Sequence, residues 1–216
     1  MSSISTKPFT CPECGHKGEF KMYNSVNVTL DPKLKDRVLN GDIFDWTCPK
    51  CGESLSVRYN LLYHDMDNKF QIYYSPTECE RLNKKMNEML AKYPGMRKTV
   101  RTVDSLNALR EKIYVFEEGL NDIAIELSKL FLKNVEKESI EPNSELRFEQ
   151  LIVYGKDTPK EQLLFRKIID NQPQKGMILL EKIYYDNFVK DIATNDNFKM
   201  RNYCETIDEE WIYNHI

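Results

Sequence analysis

The chain has 216 residues, of which 41% are hydrophobic and 30% charged, and its formal net charge is −3. This composition is typical of a water-soluble globular protein. The near balance of charge creates no overall field that would favour nucleic acid as a partner. The length allows one large domain or two small ones.

The opening residues, MSSISTKPFT, contain no apolar stretch of the kind found in a secretory signal, and no apolar run in the sequence reaches the length of a membrane span. Four of the six cysteines are arranged as two close pairs, which favours metal ligands in a reducing compartment over disulfides. The sequence therefore predicts a cytoplasmic protein without a membrane partner. Cys79 and Cys204 are interpreted as packed or idle thiols.

The two cysteine pairs lie in nearly identical segments, CPECG at 11–15 and CPKCG at 48–52. The proline stiffens each loop, and the glycine after the second cysteine permits a left-handed backbone that turns amides toward the thiolates. Together the pairs supply four sulfur ligands, which tetrahedral zinc prefers. The predicted ligands of one structural Zn²⁺ are Cys11, Cys14, Cys48 and Cys51.

Two alternatives to a four-cysteine site are less well supported. His16 follows the first pair closely, but four cysteines already fill a tetrahedral shell, so it is predicted to be a surface residue. Cys-Pro-x-Cys also occurs in glutaredoxin-like enzymes, where a helix follows the pair and lowers the thiol pKa. Here a glycine and strand-like sequence follow each pair, which favours the metal site.

Around the two segments 11–15 and 48–52, called knuckles below, the residue pattern predicts strands at 18–30, 43–47, 54–63 and 69–74. A short inserted helix should begin with Asp31 as N-cap and Pro32 at its first position, and end at Gly41. This helix either covers the sheet or forms a movable lid. Seven aromatic residues either fill the core of the sheet or form a stacking platform for bases: Phe44, Trp46, Tyr59, Tyr63, Phe70, Tyr73 and Tyr74.

The next segment is predicted to be helical. Ser75 to Glu78 form a capping box that starts a helix, and Tyr93-Pro94-Gly95 ends it. Seven basic residues lie between positions 81 and 101, either as the solvated face of this helix and its loop or as a surface for an anionic partner. They are Arg81, Lys84, Lys85, Lys92, Arg97, Lys98 and Arg101.

The strongest periodic signal is a set of apolar residues spaced alternately by three and four positions: Leu106, Leu109, Ile113, Phe116, Leu120, Ile123, Leu127 and Leu130. This spacing predicts one amphipathic helix of more than six turns, with Gly119 inside it. Its apolar seam packs either on the protein's own sheet or on a second copy in a homodimer. Asp104, Glu111, Glu117, Glu118 and Asp122 are interpreted as an exposed acidic face.

The remaining sequence predicts an antiparallel meander of three strands, at 146–154, 162–170 and 176–185. Helices are expected at 186–194 and after Asp208, with Trp211 and Ile212 as anchors. The fold class is α+β. A zinc-ribbon-like β domain over residues 1–76 contains the short inserted helix, and a domain over residues 77–216 places the long amphipathic helix on a small antiparallel sheet.

With these pieces in place, the sequence resembles the CpXC family, which is named for its two Cys-Pro-x-Cys motifs. The resemblance depends on both knuckles, the segment between them and the aromatic strands ending at 74–76, and it continues more weakly from 101 to about 130. It implies a bacterial or archaeal protein with the four cysteines as binding residues. It brings no activity with it.

The sequence contains no phosphate loop, GxGxxG, GxSxG or HExxH motif. This favours a non-enzymatic, zinc-stabilised module that binds a protein partner. Three alternatives stay open at this point: a nucleic-acid-binding zinc ribbon, a thiol–disulfide oxidoreductase, and an enzyme with an unrecognised site in the C-terminal part.

Overall fold

The structure, a computed structural model, describes residues 1–92, 99–137, 140–141, 144–155, 159–200 and 203–216. It divides into two compact units, Met1–Leu106 (unit 1) and Asn107–Ile216 (unit 2). The sequence-based boundary after residue 76 falls inside unit 1. Both units combine helices with sheets, which confirms the α+β class.

Unit 1 contains seven strands and two helices within its described residues. They are β1 (Ser3–Thr10), β2 (Lys17–Asn27), α1 (Lys33–Asn40), β3 (Asp45–Thr47), β4 (Ser54–Ser56), β5 (Leu61–Asp65), β6 (Phe70–Tyr74), α2 (Cys79–Leu90) and β7 (Thr99–Val103). Five strands follow the order β1-β2-β5-β6-β7, and β3 pairs with β4 as a separate hairpin. Because β7 pairs in parallel with β6, unit 1 extends well beyond residue 76.

The core of unit 1 is aromatic. Six of the seven aromatic residues singled out above are buried, and only Tyr73 is half-buried. Phe44 packs against both Tyr59 and Tyr74, with ring centroids 4.8 and 5.4 Å apart. The prediction that these rings fill the core is therefore confirmed for the six, and they do not form an exposed stacking surface.

The ends of the helices in unit 1 differ in detail from the predictions. Gly41 ends α1 with a φ of 93°, as expected of a left-handed C-cap. Asp31 was predicted to cap this helix, but no side chain does so, and its carboxylate instead accepts a hydrogen bond from Ser2 Oγ. At α2, Ser75 Oγ accepts from the Glu78 amide at 3.2 Å, which is one half of the predicted capping box. The predicted stop at 93–95 lies outside the described residues.

Unit 2 contains four helices and five strands in its described part. They are α3 (Leu106–Glu117), whose first residue closes unit 1, α4 (Asp122–Val135), β8 (Glu145–Tyr154), β9 (Lys160–Ile169), β10 (Gln172–Pro173), β11 (Ile178–Glu181), α5 (Lys182–Thr194), β12 (Cys204–Glu205) and α6 (Glu209–Tyr213). The strand β9 pairs antiparallel with β8, β10 and β11, which confirms an antiparallel sheet. The third predicted strand was too long, because its residues from Lys182 onward begin α5.

The prediction of one long helix over 106–130 was wrong. Gly119 adopts a φ of 66°, which a right-handed helix does not accommodate, and α3 ends just before it. Asn121 then caps a new helix, because its side-chain oxygen accepts hydrogen bonds from the amides of Ile123 and Ala124 at 2.9 and 3.3 Å. The apolar spacing continues across the break because both helices bury an apolar side.

The second of these helices, α4, is the centre of unit 2. On one side, Ala124, Ile125 and Leu132 join a core formed with β8, β9, β11 and α5. On another side, Ile123 and Leu130 pack with Ile212 of α6 in a second core. The apolar seam therefore packs largely within the chain, on the protein's own strands and helices. The cap at Asp208, which accepts from the Trp211 amide at 2.8 Å, confirms the predicted start of α6.

Among the described residues, no helix combines the length and the apolar character that crossing a membrane requires.

Candidate metal centre

Each cysteine pair lies in the turn of a β-hairpin. The first turn connects β1 to β2 and follows the paired residues Thr10 and Lys17. The second turn connects β3 to β4 and follows the paired residues Thr47 and Ser54. In the first turn, the Cys11 amide donates to the His16 carbonyl at 2.9 Å and the Gly15 amide donates to the Cys11 carbonyl at 3.0 Å.

The second turn repeats this pattern. The Cys48 amide donates to the Glu53 carbonyl at 2.8 Å, and the Gly52 amide donates to the Cys48 carbonyl at 2.9 Å. Gly15 and Gly52 have φ angles of 68° and 77°, which is the left-handed conformation predicted for them. Two short sequences of the same pattern therefore fold into two turns of the same geometry.

Trp46 of the second hairpin contacts the first hairpin. Its indole Nε1 donates to the Glu19 carbonyl at 3.0 Å, and its ring meets Phe9 edge-on with centroids 4.8 Å apart. A Cβ atom on Gly18 would lie 3.3 Å from Trp46 Cζ2, so glycine permits this close approach. Because Phe9 and Trp46 each lie two residues before a knuckle, their contact brings the two turns together.

The structure brings together the four cysteines that the sequence predicts as ligands. The Sγ atoms of Cys11, Cys14, Cys48 and Cys51 all lie within 4.8 Å of one another. The Cys11–Cys51 and Cys14–Cys48 Sγ distances are both 3.7 Å. Zinc–sulfur bonds of about 2.3 Å in a tetrahedron separate the sulfur atoms by about 3.8 Å. The spacing and the soft thiol chemistry thus fit a tetrahedral metal ion such as zinc.

Burial and hydrogen bonding distribute the protons of this cluster unevenly. Burial disfavours the thiolate of Cys48, but hydrogen bonds from the amides of Cys51 and Lys50 and from neighbouring thiols outweigh it and lower its pKa to about 6. The Glu53 amide favours the Cys51 thiolate, but burial and the other three thiols together raise its pKa to about 12. Metal ions bind cysteine as the thiolate, so a cation bound among these sulfurs would displace thiol protons.

The surroundings of the two cysteine pairs can be compared with the two alternatives, a histidine ligand at His16 and a glutaredoxin-like thiol site. His16 is half-buried and contributes its carbonyl to the turn, and it is not among the residues that surround the cluster. The residues after the two pairs begin strands β2 and β4 rather than helices. The helix N-terminus that lowers the thiol pKa in glutaredoxin-like sites is therefore missing from both knuckles in this described region.

The predicted basic stretch is exposed at Lys84, Lys85 and Lys92 and buried at one position. Arg101 is buried, with 6% exposure, and its Nη1 donates to the Val100 carbonyl at 3.0 Å. Arg81 is exposed but pairs with Glu78 at 2.7 Å. Arg97 and Lys98 lie outside the described residues.

The predicted acidic face is also wrong for two of its members. Glu111 and Asp122 are each only 2% exposed and belong to a buried ionic network between α3 and α4. Lys129 Nζ lies 2.9 Å from Glu111 Oε2 and 2.7 Å from Glu126 Oε2. Lys112 Nζ lies 3.2 Å from Asp122 Oδ2 and 3.4 Å from Glu126 Oε1.

This network was missed because charged residues at helical spacing normally mark a solvated face. Burial raises the pKa of Glu126 against the opposing effect of Lys129 and Lys112. Glu111 Oε1 also accepts from the Phe148 amide at 2.6 Å, so the network reaches the edge of β8. A usable signal was the i, i+3 pair of Glu126 and Lys129 on the same helix as the apolar seam.

Comparison with protein-family models matches residues 9–129 to the CpXC protein family. The match covers more than half of the chain and includes all four clustered cysteines, so the chain belongs to the CpXC family. Searches of curated proteins and of solved structures find no match.

Proposed function

We propose that this CpXC protein is a non-enzymatic module that one structural zinc ion stabilises and that binds a protein partner. The observation that carries the proposal is the convergence of four thiols from two like hairpin turns. With Cys11, Cys14, Cys48 and Cys51 as ligands, the hairpins form a zinc-ribbon-like pair. Four protein ligands fill a tetrahedral shell, which is typical of structural rather than catalytic zinc.

Metal analysis of the purified full chain tests the first part of this proposal. We expect about one zinc per chain. Cys48→Ser should lose it, because three ligands hold zinc far more weakly than four. Cys79→Ser is the matched control, because Cys79 lies outside the cluster. A wild-type chain without zinc, or a Cys48→Ser chain that keeps it, would overturn the assignment.

An apolar groove of about 570 Å³ in unit 1 supports a protein partner. It is lined by Met1, Ser2, Ile4, Tyr23, Leu30, Asp31, Pro32, Lys33 and Leu34. Leu30 and Ile4 are large apolar side chains with 57% and 46% exposure. Side chains of this kind grouped at one surface are typical of protein–protein contacts.

Partner binding is tested by affinity capture with the zinc-loaded chain. A specific partner should be retained by the wild type and lost by Leu30→Ser. Val135→Ser, which replaces an equally exposed apolar side chain in unit 2 by a polar one, should retain it. Equal retention by all three chains would contradict a role for the groove.

Nucleic acid is the competing ligand, as for many zinc ribbons. Burial removes Arg101 and six aromatic side chains from the surface that the sequence offered for it, whereas Arg81, Lys84, Lys85 and Lys92 are exposed. Tight binding to single-stranded RNA or DNA, with a steep dependence on salt, would contradict the protein-partner proposal.

A further inference from the structure

The outer edge of β1 in unit 1 presents backbone groups without a partner strand. In the described part of the chain β1 pairs with β2 alone, so one side of it is open. The Cys11 amide, just beyond β1, donates to the His16 carbonyl at 2.9 Å, so this pair is of the hydrogen-bonded kind. Because the two kinds of pair alternate along an antiparallel ladder, Ile4, Thr6 and Pro8 direct their backbone groups away from β2.

Pro8 and its register partner agree with this direction. Proline has no N–H, so it is accommodated where an edge strand would direct that group to solvent. Glu19 pairs with Pro8, which has no hydrogen to donate, and the Glu19 carbonyl accepts from Trp46 Nε1 at 3.0 Å instead. Before Pro8, Ile4 and Thr6 offer both an N–H and a carbonyl to the open side. Unpaired groups of this kind are a template for another extended chain.

The apolar groove described above begins at the same edge. Ile4 lines it, and so does Tyr23, which is the register partner of Ile4 and lies on the same face of the hairpin. In a strand added beside Ile4 and Thr6, every second side chain would lie on this face, next to the exposed Leu30. The edge and the groove therefore specify one occupant, an extended chain that is apolar on one face.

The charged side chains around this edge favour an acidic chain. They comprise those on β1, those paired with β1 in the register and those lining the groove. Four are basic and two are acidic: Lys7, Lys17, Lys21 and Lys33 against Glu19 and Asp31. Lys7 is exposed and lies on the face opposite Ile4 and Thr6, because successive residues of a strand alternate. A residue placed across from Lys7 by an added strand is therefore best a carboxylate.

We propose that an extended segment of the partner protein pairs with β1 as an added strand, with apolar residues at the groove and acidic residues opposite Lys7. The proposal rests on the protein-binding role proposed above and names the chemistry of the bound segment. Backbone hydrogen bonds to Ile4 and Thr6 supply affinity, and alternate side chains supply specificity. A second copy of this chain is a poor occupant, because antiparallel pairing of two β1 strands around Thr6 would bring the Lys7 side chains of both copies together.

A labelled peptide in which leucine and glutamate alternate, titrated into the full zinc-loaded chain, tests the proposal by fluorescence anisotropy. We expect saturable binding. A peptide in which leucine and lysine alternate should bind at least about tenfold more weakly, because it meets Lys7 with a like charge. Absence of saturable binding of the leucine–glutamate peptide, or equal binding of the two peptides, would overturn the proposal.

Backbone pairing is tested with two methylated versions of the leucine–glutamate peptide. One carries N-methyl groups on every leucine and the other on every glutamate. A strand turns only every second amide toward its neighbour, so one version should lose binding and the other should keep it. Equal affinities of the two versions would show that no strand is added.

The chain offers a matched pair of variants at Thr6. Thr6→Pro removes the outward N–H and places a ring at the open edge, so it should weaken peptide binding at least about tenfold. Thr6→Val keeps the N–H and the branched shape and should bind like the wild type. Circular dichroism establishes that each variant is folded, and the methylated peptides decide the question on the wild-type chain if Thr6→Pro does not fold. Equal losses in the two variants would contradict the added strand.

The affinity capture described above separates this proposal from the proposed function. A partner that Leu30→Ser loses and Thr6→Pro retains would overturn the added strand and leave the protein-binding role in place. Loss of the partner in both variants, with retention by Thr6→Val, supports the added strand. A wild-type dimer in sedimentation that Thr6→Pro dissociates would assign the edge to a second copy and overturn the proposal.

Discussion

Unit 1 and unit 2 group their polar side chains in different ways. Unit 1 brings four thiols together at the turns of two hairpins, with Cys11 and Cys48 buried and Cys51 exposed, and it has an aromatic core. Unit 2 buries complete ion pairs between α3 and α4 beside two apolar cores. The proposed metal ion would complete the thiol cluster from outside, whereas the ionic network already contains both signs of charge. We therefore expect the stability of unit 1, but not of unit 2, to depend on a metal ion.

The largest effect should come from Cys48→Ser or from a strong chelator. Loss of a structural zinc removes on the order of 10 kcal/mol of binding free energy, so unit 1 should unfold. The two tryptophans provide one probe for each unit, Trp46 and Trp211. In a Trp211→Phe background, the fluorescence of Trp46 should shift to the red on chelation.

The same experiment in Cys79→Ser should give the wild-type response, because its thiol lies outside the cluster. Hydrogen exchange of α4 should stay slow after chelation. If chelation shifts the fluorescence of Trp46 and also removes the exchange protection of α4, the expected difference between the two units is wrong.

A smaller but still large effect is expected for Lys129→Met in unit 2. The change leaves Glu111 and Glu126 buried without the cation that lies within 3 Å of both. Breaking a buried ion pair in this way costs about 3–5 kcal/mol. Urea unfolding followed by hydrogen exchange of α4 measures the loss.

The matched surface change, Lys167→Met, removes a pair whose Glu141 side chain is 52% exposed. Its cost should be below about 1 kcal/mol. Similar losses for the two variants would mean that the buried network contributes no more than a surface pair.

Gly119→Ala tests the break between α3 and α4. With its φ of 66° and no atom within 4 Å of an added Cβ, the cost is conformational, about 1–2 kcal/mol. In a continuous helix the same substitution would stabilise by roughly 1 kcal/mol. The sign of the change in the urea midpoint therefore distinguishes two separate helices from one continuous helix.

The smallest effect concerns pH and Glu149. Burial opposes its ionisation, but hydrogen bonds from Arg166 and Arg147 outweigh burial and lower its pKa. Stability from this group is complete above the unfolded pKa of about 4.3 and is lost as pH falls toward the lower folded pKa. Urea midpoints of unit 2 between about pH 6 and pH 3 should fall less steeply in Glu149→Gln than in the wild type. Parallel curves would contradict this role.

Local features that depend on neighbouring residues could be predicted from the amino-acid sequence. The knuckle turns, the left-handed glycines at 15, 41 and 52, the cap at Asp208 and the antiparallel strands β8 and β9 were all predictable. In each of these features a few adjacent residues restrict the backbone, so the local sequence pattern is enough to predict the structure. Family membership rests on the same local motifs.

Which charged side chains are buried depends on packing between distant parts of the chain. Glu111, Asp122 and Arg101 look like surface residues in the sequence, and only their packing partners show that they are buried. The break at Gly119 was hidden for a related reason, because the apolar spacing continues through it into a helix with different neighbours. Burial and ion pairing arise between residues distant along the chain, and hydrophobic periodicity reports only which face of each segment is apolar.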